Sequence, residues 1–447
     1  MRILSAVKAR GIAASIIDQV RVDYVYMYPP RQAYRTLGAS VMEANESTSL
    51  SNEGPLNLYV HVPFCRQICA YCNLYAVANT RDAAHEQYIE AVCREIDHYG
   101  LAIQRRQVDT IYIGGGTPSL LQPSLIIRLL NCIAGWSGDI STVPEVALEV
   151  APDTVSSESL SGWRHAGINR INLGVQSWDD QELASIGRRH GVDVPRRAIE
   201  LALNAGFSNV CVDLIYGLEG QTEASWEASL RAVSAYRPQT ICCYALTLRP
   251  RTGFASRGYH EVQSVNQYAK YDRAVEILGQ AGYIQETHVR WILPSQGGYR
   301  QKANHWAGQD ILGFGAGARS YLRYCDIRNG YSVKDRSQAL KAYLGRVRDG
   351  EYARTDGFLM DEDERRRKRV ILGLGALDRG LFRREHRIDV LDVFGPEIQQ
   401  LEDCALVNVT GEWVSLTPRG LRFRDVAVQM FFSERVQELI STHSYEE

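Results

Sequence analysis

Three cysteines, Cys65, Cys69 and Cys72, stand within eight residues, in the run Cys65-Arg-Gln-Ile-Cys69-Ala-Tyr-Cys72. A loop with these spacings can turn all three sulfurs toward one centre. Thiolates are soft ligands and select zinc, copper(I) or an iron–sulfur cluster. Structural zinc takes four protein ligands, and a cubane held wholly by protein takes four cysteines. Three thiols with no obvious fourth therefore suggest a cluster with one iron open to another ligand. A zinc knuckle is the competing reading, and His61, four residues before Cys65, is its candidate fourth ligand.

Such a loop needs a scaffold, and the chain supplies a rhythm for one. Apolar runs of strand length occur at 58–62, 110–113, 146–150, 171–175, 210–215 and 241–246. Segments with helical periodicity lie between them, at 84–99, 119–133, 194–203 and 223–235. Near-continuous Val/Ile/Leu runs alternating with helices predict parallel βαβ units. The expected fold is α/β, a partial (β/α)6 barrel, with a doubly wound open sheet as competitor. In either case ligands belong at the carboxyl ends of the strands.

The predicted division is an N-terminal extension and linker over 1–54, the barrel over 55–300, and a mostly helical, winged-helix-like domain over 301–447. Residues 1–24 read as an amphipathic segment, and 43–53, rich in Ser, Thr and Asn, as linker. Tyr26-Met-Tyr28-Pro29-Pro30-Arg31-Gln-Ala-Tyr34-Arg35 reads either as packing against the barrel or as a flap over its mouth.

Polar residues at the predicted strand ends converge on that mouth. Gly114-Gly115-Gly116-Thr117-Pro118 follows the second strand, and glycines let backbone approach a ligand closely. Glu149 ends the third strand, Gln176 the fourth, and Arg188 follows in Gly187-Arg188-Arg189-His190. Asp213 sits inside an apolar strand, where a carboxylate is costly unless it is paired.

The ordered set Tyr59/His61/Pro63/Phe64, CxxxCxxC, GGGTP, Glu149, GVQS, GRRH and DLIYGL resembles radical S-adenosylmethionine (SAM) enzymes. More narrowly it is similar to the oxygen-independent coproporphyrinogen III oxidase-like branch, over about residues 55 to 430 and including NHWxxxxxLGFGAGARS. The resemblance implies that Cys65, Cys69 and Cys72 hold a 4Fe-4S cluster. It places Tyr59, Tyr71, Gly115 and Glu149 on a first SAM, and Gly116, Thr117, Gln176, Arg188, Asp213 and Ala245 on a second. It also implies a small-molecule substrate and an electron donor such as flavodoxin or ferredoxin.

Within the branch, the oxidase carries a further cysteine where this chain has Leu74, and the YPPRQAYR stretch resembles the leaders of the methylating members. The expectation is therefore C-methylation or cyclopropanation of an unsaturated carbon in a natural product. The alternatives are oxidative decarboxylation of coproporphyrinogen III and heme chaperoning, in which His305 of Asn304-His305-Trp306 would ligate heme iron. Arg31, Arg35 and Arg319 are candidates for substrate carboxylates, and His288 for a proton acceptor.

A formal net charge of −2 gives no reason to expect nucleic acid or an anionic membrane as partner. No apolar run approaches the roughly 20 residues that span a bilayer. The remaining cysteines, Cys93, Cys132, Cys211, Cys242, Cys243, Cys325 and Cys404, lie mostly in apolar contexts and read as reduced core residues, which fits a cytoplasmic protein.

Overall fold

The computed structural model describes residues 24–443, apart from 79, 251, 260–263, 297, 331–333, 353 and 355. The amphipathic segment expected over 1–24 lies outside the described residues save for Tyr24.

Six parallel strands form the centre in sequence order: β1 (Leu56–Val62), β2 (Val108–Gly115), β3 (Glu145–Val150), β4 (Arg170–Gln176), β5 (Asn209–Tyr216) and β6 (Thr240–Ala245). Their side chains are buried almost throughout, as the unbroken apolar runs require of strands covered on both faces. Helices such as Asp82–His98, Pro123–Ser137 and Glu223–Ala235 return the chain between them. The barrel is partial, as expected, and its edges are extended rather than joined. Arg290–Ile292 adds antiparallel to β6, while β7 (Asp310–Phe314) adds parallel to β1, from Asp310 opposite Leu56 to Phe314 opposite Val60. Further antiparallel strands make a sheet of thirteen among the described residues.

The lower, amino-terminal end of the sheet is pinned by polar groups. Arg106 donates to Asp310 at 2.8 Å, away from solvent, and to the carbonyls of Gly54 and Pro55 at the sheet's lower rim. Asn57 accepts from Thr110 and Asn304 at 2.7 and 2.8 Å. These contacts satisfy polar groups that would otherwise be stranded in the interior.

The carboxy-terminal region is built on helices Glu362–Gly373, Arg379–His386 and Val390–Asp403. Each starts at an aspartate, Asp361, Asp378 or Asp389, whose side chain accepts from a first-turn amide. A three-stranded sheet, Ala376–Asp378, Trp413–Leu416 and Val407–Val409, gives the winged-helix-like pattern. Its core takes in Val25, Met27, Tyr28, Ala33 and Tyr34, so the segment before the barrel packs here. Tyr28 donates to Glu364 at 2.6 Å, and Val25 N–H to Asp425 at 3.1 Å.

Two local expectations are corrected. Of the stretch expected as linker, 43–53, residues 43–50 belong to helix Ala39–Leu50. Its Ser/Thr/Asn content disfavours helix, but tertiary burial overrides propensity: Met42, Glu46, Ser49 and Leu50 are buried, and Glu46 meets Arg354 at 3.3 Å. Cys93 and Cys132, expected as reduced core thiols, form a disulfide with Cα atoms 5.7 Å apart, between helices Asp82–His98 and Pro123–Ser137. Among the described residues no helix is long and apolar enough to cross a membrane.

Candidate functional site

The carboxyl ends of the strands open into a cavity of about 1890 Å³, and every residue expected to hold a cofactor lines it: Cys65, Cys69, Cys72, Tyr59, Tyr71, Gly115, Gly116, Thr117, Glu149, Gln176, Arg188, Asp213 and Ala245. A pocket for one small ligand is usually about 300–1,000 Å³. This one has room for more than one.

Cys65 ends the two-residue strand Phe64–Cys65, which pairs with Val77–Ala78. The loop that follows is held by backbone on both sides, Ala70 N–H donating to Ile186 O at 3.0 Å and Phe254 N–H to Ala70 O at 2.9 Å. Burial raises the Cys65 thiol and pushes Cys72 up to about 12, so metal binding must release their protons. The three sulfurs do not all lie within 4.8 Å of one another. Tetrahedral zinc, at about 2.3 Å from sulfur, would draw its thiolates to about 3.8 Å apart. The wider cradle and the three-thiol set fit an iron–sulfur cluster better than zinc.

His61 is not a fourth ligand. Burial lowers its pKa to about 4, so the ring is neutral; Nε2–H donates to Tyr75 O and Nδ1 accepts from Tyr59 OH, each at 2.9 Å. Both nitrogens are used in fixing Tyr59 and the wall behind the glycines.

The glycine triplet is required by close approach. A Cβ on Gly114 would stand 2.9 Å from Glu149 Oε1, and one on Gly115 2.7 Å from the His61 ring. On Gly116 it would stand 2.6 Å from Phe64 O and 2.9 Å from Cys65 Sγ. Gly115 also has φ +122°. Thr117 donates its hydroxyl to Cys65 Sγ at 3.4 Å. Glu149 accepts from Tyr112 OH at 2.7 Å and Gly115 N–H at 2.8 Å, yet burial still raises its pKa to about 7.

Across the mouth, Arg188 is held between Tyr71 and Gly174 O, and its Nε is buried without a partner. Gln176 has φ +74°, a conformation that a glutamine rarely adopts, at a register shift in the β4–β5 pairing. Strain of this kind concentrates at functional sites. Asp213 is half-buried, its pKa raised well above the carboxylate range chiefly by desolvation and then by Cys242, and it accepts from the Cys211 thiol at 3.7 Å.

The segment before the barrel contributes Tyr24, Tyr26, Met27 and Arg31 to the cavity wall, and the carboxy-terminal region Phe423, Asp425 and Phe432. YPPRQAYR packs not against the barrel but in the carboxy-terminal core, through Tyr28 and Tyr34, while Met27, Pro30 and Arg31 line the cavity. Arg319 also lines it, donating to Tyr26 OH at 2.9 Å. Arg35 does not; it donates to the carbonyls of Gln32, Tyr34 and Leu439 and serves as a structural clamp. His288 is buried 3.6 Å from Asp425, but burial and the cations Arg424, Lys302 and Arg290 hold its pKa well below normal. That makes it a poor proton acceptor. Sequence reasoning missed Lys302, whose burial lowers its pKa to about 7, and Tyr299, which stacks on Tyr112 at 5.5 Å. Both come from beyond the last barrel strand, where no periodicity pointed to the mouth.

Residues 59–233 match the Radical SAM superfamily. The chain is 32% identical to the heme chaperone HemW of Escherichia coli (strain K12), over 61% of this chain and 72% of that protein. It is 33% identical to the heme chaperone HemW of Lactococcus lactis subsp. lactis, over 86% of this chain and 98% of that protein. The solved structure of coproporphyrinogen III oxidase (HemN) from Escherichia coli, a radical SAM enzyme, superposes with a TM-score of 0.77 and 24% identity, covering 93% of this chain and 99% of that one. These relatives overturn the expectation of natural-product C-methylation or cyclopropanation: the proteins matched over most of their length are heme chaperones and an oxygen-independent coproporphyrinogen III oxidase, and the matched fold is that of the oxidase. The resemblance of the YPPRQAYR leader to methylating enzymes was too short a signal to outweigh them. The chain belongs to the radical SAM superfamily, whose cofactors are a 4Fe-4S cluster and SAM, and within it to the HemN-like branch.

Proposed function

We propose that this protein is a tetrapyrrole-handling member of the branch that binds heme in its cavity, a heme chaperone in kind. The observation that carries the reading is His305. It lies on the cavity wall with Nδ1 buried and without a hydrogen-bond partner. Burial, with Lys302 and Lys368 nearby, holds its pKa well below normal, so the ring is the neutral imidazole that ligates iron. Leu74 in place of the oxidase's additional cysteine, and the full-length likeness to a heme chaperone, support the same reading.

Cys65, Cys69 and Cys72 would hold the cluster, and Glu149 with the Gly115 backbone would receive the SAM amino acid. When bound, these groups supply one-electron reductive cleavage of a sulfonium C–S bond. The protein's own part is position and dryness: Thr117 touches Cys65 Sγ, Tyr59 is set by His61, and the Tyr24–Arg31 side of the cavity limits water. The volume and the polar set Gln176, Arg188 and Asp213 support a second SAM opposite the first. A second reading, oxidation of coproporphyrinogen III, is favoured by Arg31 and Arg319 in the cavity wall, whose guanidinium groups suit substrate carboxylates.

Titration of the anaerobically reconstituted protein with heme tests both. A shifted heme absorption band saturating near one heme per chain, with affinity at least tenfold weaker in His305→Ala, is expected. An unchanged affinity in that variant removes the proposed ligand. Decarboxylated product from coproporphyrinogen III, SAM and dithionite would replace the chaperone reading with the oxidase.

A further inference from the structure

Deeper in the barrel, below the strand ends, Cys211, Asp213 and Cys242 meet. Cys211 and Asp213 sit on the same face of β5, two residues apart, and Cys242 is paired with Asp213 from β6. Their ligand atoms all lie within 4.8 Å of one another, and among the described residues no other trio of His, Cys, Asp or Glu does so. The Cys211 and Cys242 sulfurs are 3.7 Å apart, and Cys211 Sγ is 3.7 Å from Asp213 Oδ1.

These spacings have a chemical meaning. With Zn–S at about 2.3 Å and Zn–O at about 2.0–2.2 Å, tetrahedral angles put two sulfurs about 3.8 Å apart and sulfur and oxygen about 3.5 Å apart. Two of the trio's edges are nearly those, and the third, between Cys242 and Asp213, lies within 4.8 Å. Cys65, Cys69 and Cys72 do not, which separates the two thiol sites by geometry as well as by place. Two thiolates and a carboxylate around a divalent ion leave one net negative charge. Arg170 and Arg290, both buried, lie within electrostatic reach of the trio, and Arg170 Nη2 has no hydrogen-bond partner. The counter-charge is already in place.

We propose that Cys211, Asp213 and Cys242 form a zinc(II) site, distinct from the cluster loop, with its fourth position open to the cavity. Asp213 and Cys242 line that cavity while Cys211 is fully buried behind them. Three protein ligands and one open position is the arrangement of a zinc site that takes an exogenous ligand, not of a closed structural one. Binding displaces the thiol protons and any carboxyl proton, with no change of oxidation state. Zinc at this site and a second SAM on Asp213 are alternative uses of one carboxylate. The inference does not depend on heme binding.

The test uses the full chain, anaerobic and reduced, in three forms: wild type, the triple variant Cys65→Ser/Cys69→Ser/Cys72→Ser, and Cys211→Ser/Cys242→Ser. Each is loaded with zinc, then with cobalt(II) as a spectroscopic stand-in, and metal per chain is counted by mass spectrometry after desalting. The triple variant should retain about one zinc and give the intense absorption of tetrahedral thiolate-bound cobalt. The double variant carrying a reconstituted cluster should lose that zinc while keeping its iron and sulfide. Should the double variant fail to fold, Asp213→Asn, expected to weaken zinc at least tenfold, takes its place. Zinc that vanishes with the cluster cysteines, or no zinc in the triple variant, overturns the site.

Discussion

Glu149 carries a proton near neutrality because burial outweighs the two hydrogen bonds it accepts. Its folded pKa, about 7, lies above the ordinary glutamate value. The stability it contributes is therefore full below about pH 4.5 and is lost as pH rises through about 7. A cationic ammonium placed against it favours the carboxylate, so SAM binding should release a proton and tighten as pH rises from about 5.5 to 7.5. Calorimetry in buffers of different ionisation enthalpy reads that proton, and Glu149→Gln should abolish both the release and the slope. Gly116 offers a steric test. Gly116→Ala would drive a methyl against Phe64 O and Cys65 Sγ, so iron per chain should fall by at least half, while Gly135→Ala, with nothing within 4 Å, keeps it. These residues were legible in sequence because each interrupts an apolar run or forms a glycine triplet. His305 was visible as a motif, but that its Nδ1 is buried and unpaired depends on packing that no spacing encodes.

Helix Ala39–Leu50 shows what a sequence of weak helix formers conceals. It is held by a buried charge network: Arg354 meets Glu46 at 3.3 Å and Glu95 at 2.9 Å, and donates to Ser320 Oγ and Gly313 O. Glu95 also accepts from Tyr343 OH and Gly315 N–H, each at 2.8 Å. Burial raises the Glu46 pKa in spite of Arg354, so the pair does not fully offset desolvation. Breaking it is nonetheless expensive, because two carboxylates would be left in the interior. Arg354→Met should cost about 3–5 kcal/mol in urea unfolding. The strands of the barrel, in contrast, were readable from their apolar runs alone, since burial on both faces leaves few other residue types possible.

At the scale of the molecule, the thirteen-stranded sheet runs without a break from the barrel into β7 and the strands beyond it, while a second core gathers residues from both sides of the barrel in sequence. Periodicity finds units that repeat locally and says little about which distant segments share a core. The joint at Tyr28, Glu364 and Ser433 ties those segments together, with Ser433 Oγ donating to Glu364 at 2.7 Å. Glu364→Ala leaves Tyr28 and Ser433 without their shared acceptor. Hydrogen exchange over 24–36 and 423–436 should quicken at least tenfold, with β1–β6 unchanged.

That joint also sets a timetable. Tyr28 bonds to Ser433, 405 positions later, and Val25 to Asp425, 400 positions later. At about 5–20 residues per second, roughly 20–80 s of synthesis separates the two halves of this wall. The barrel and its cysteine loop are complete long before the wall can close, so a nascent chain presents its three thiols through an open doorway. From the end of β7 at Phe314 to Asp425 is about 110 residues, so cluster delivery has roughly 5–22 s of synthesis in which to act before this wall is complete.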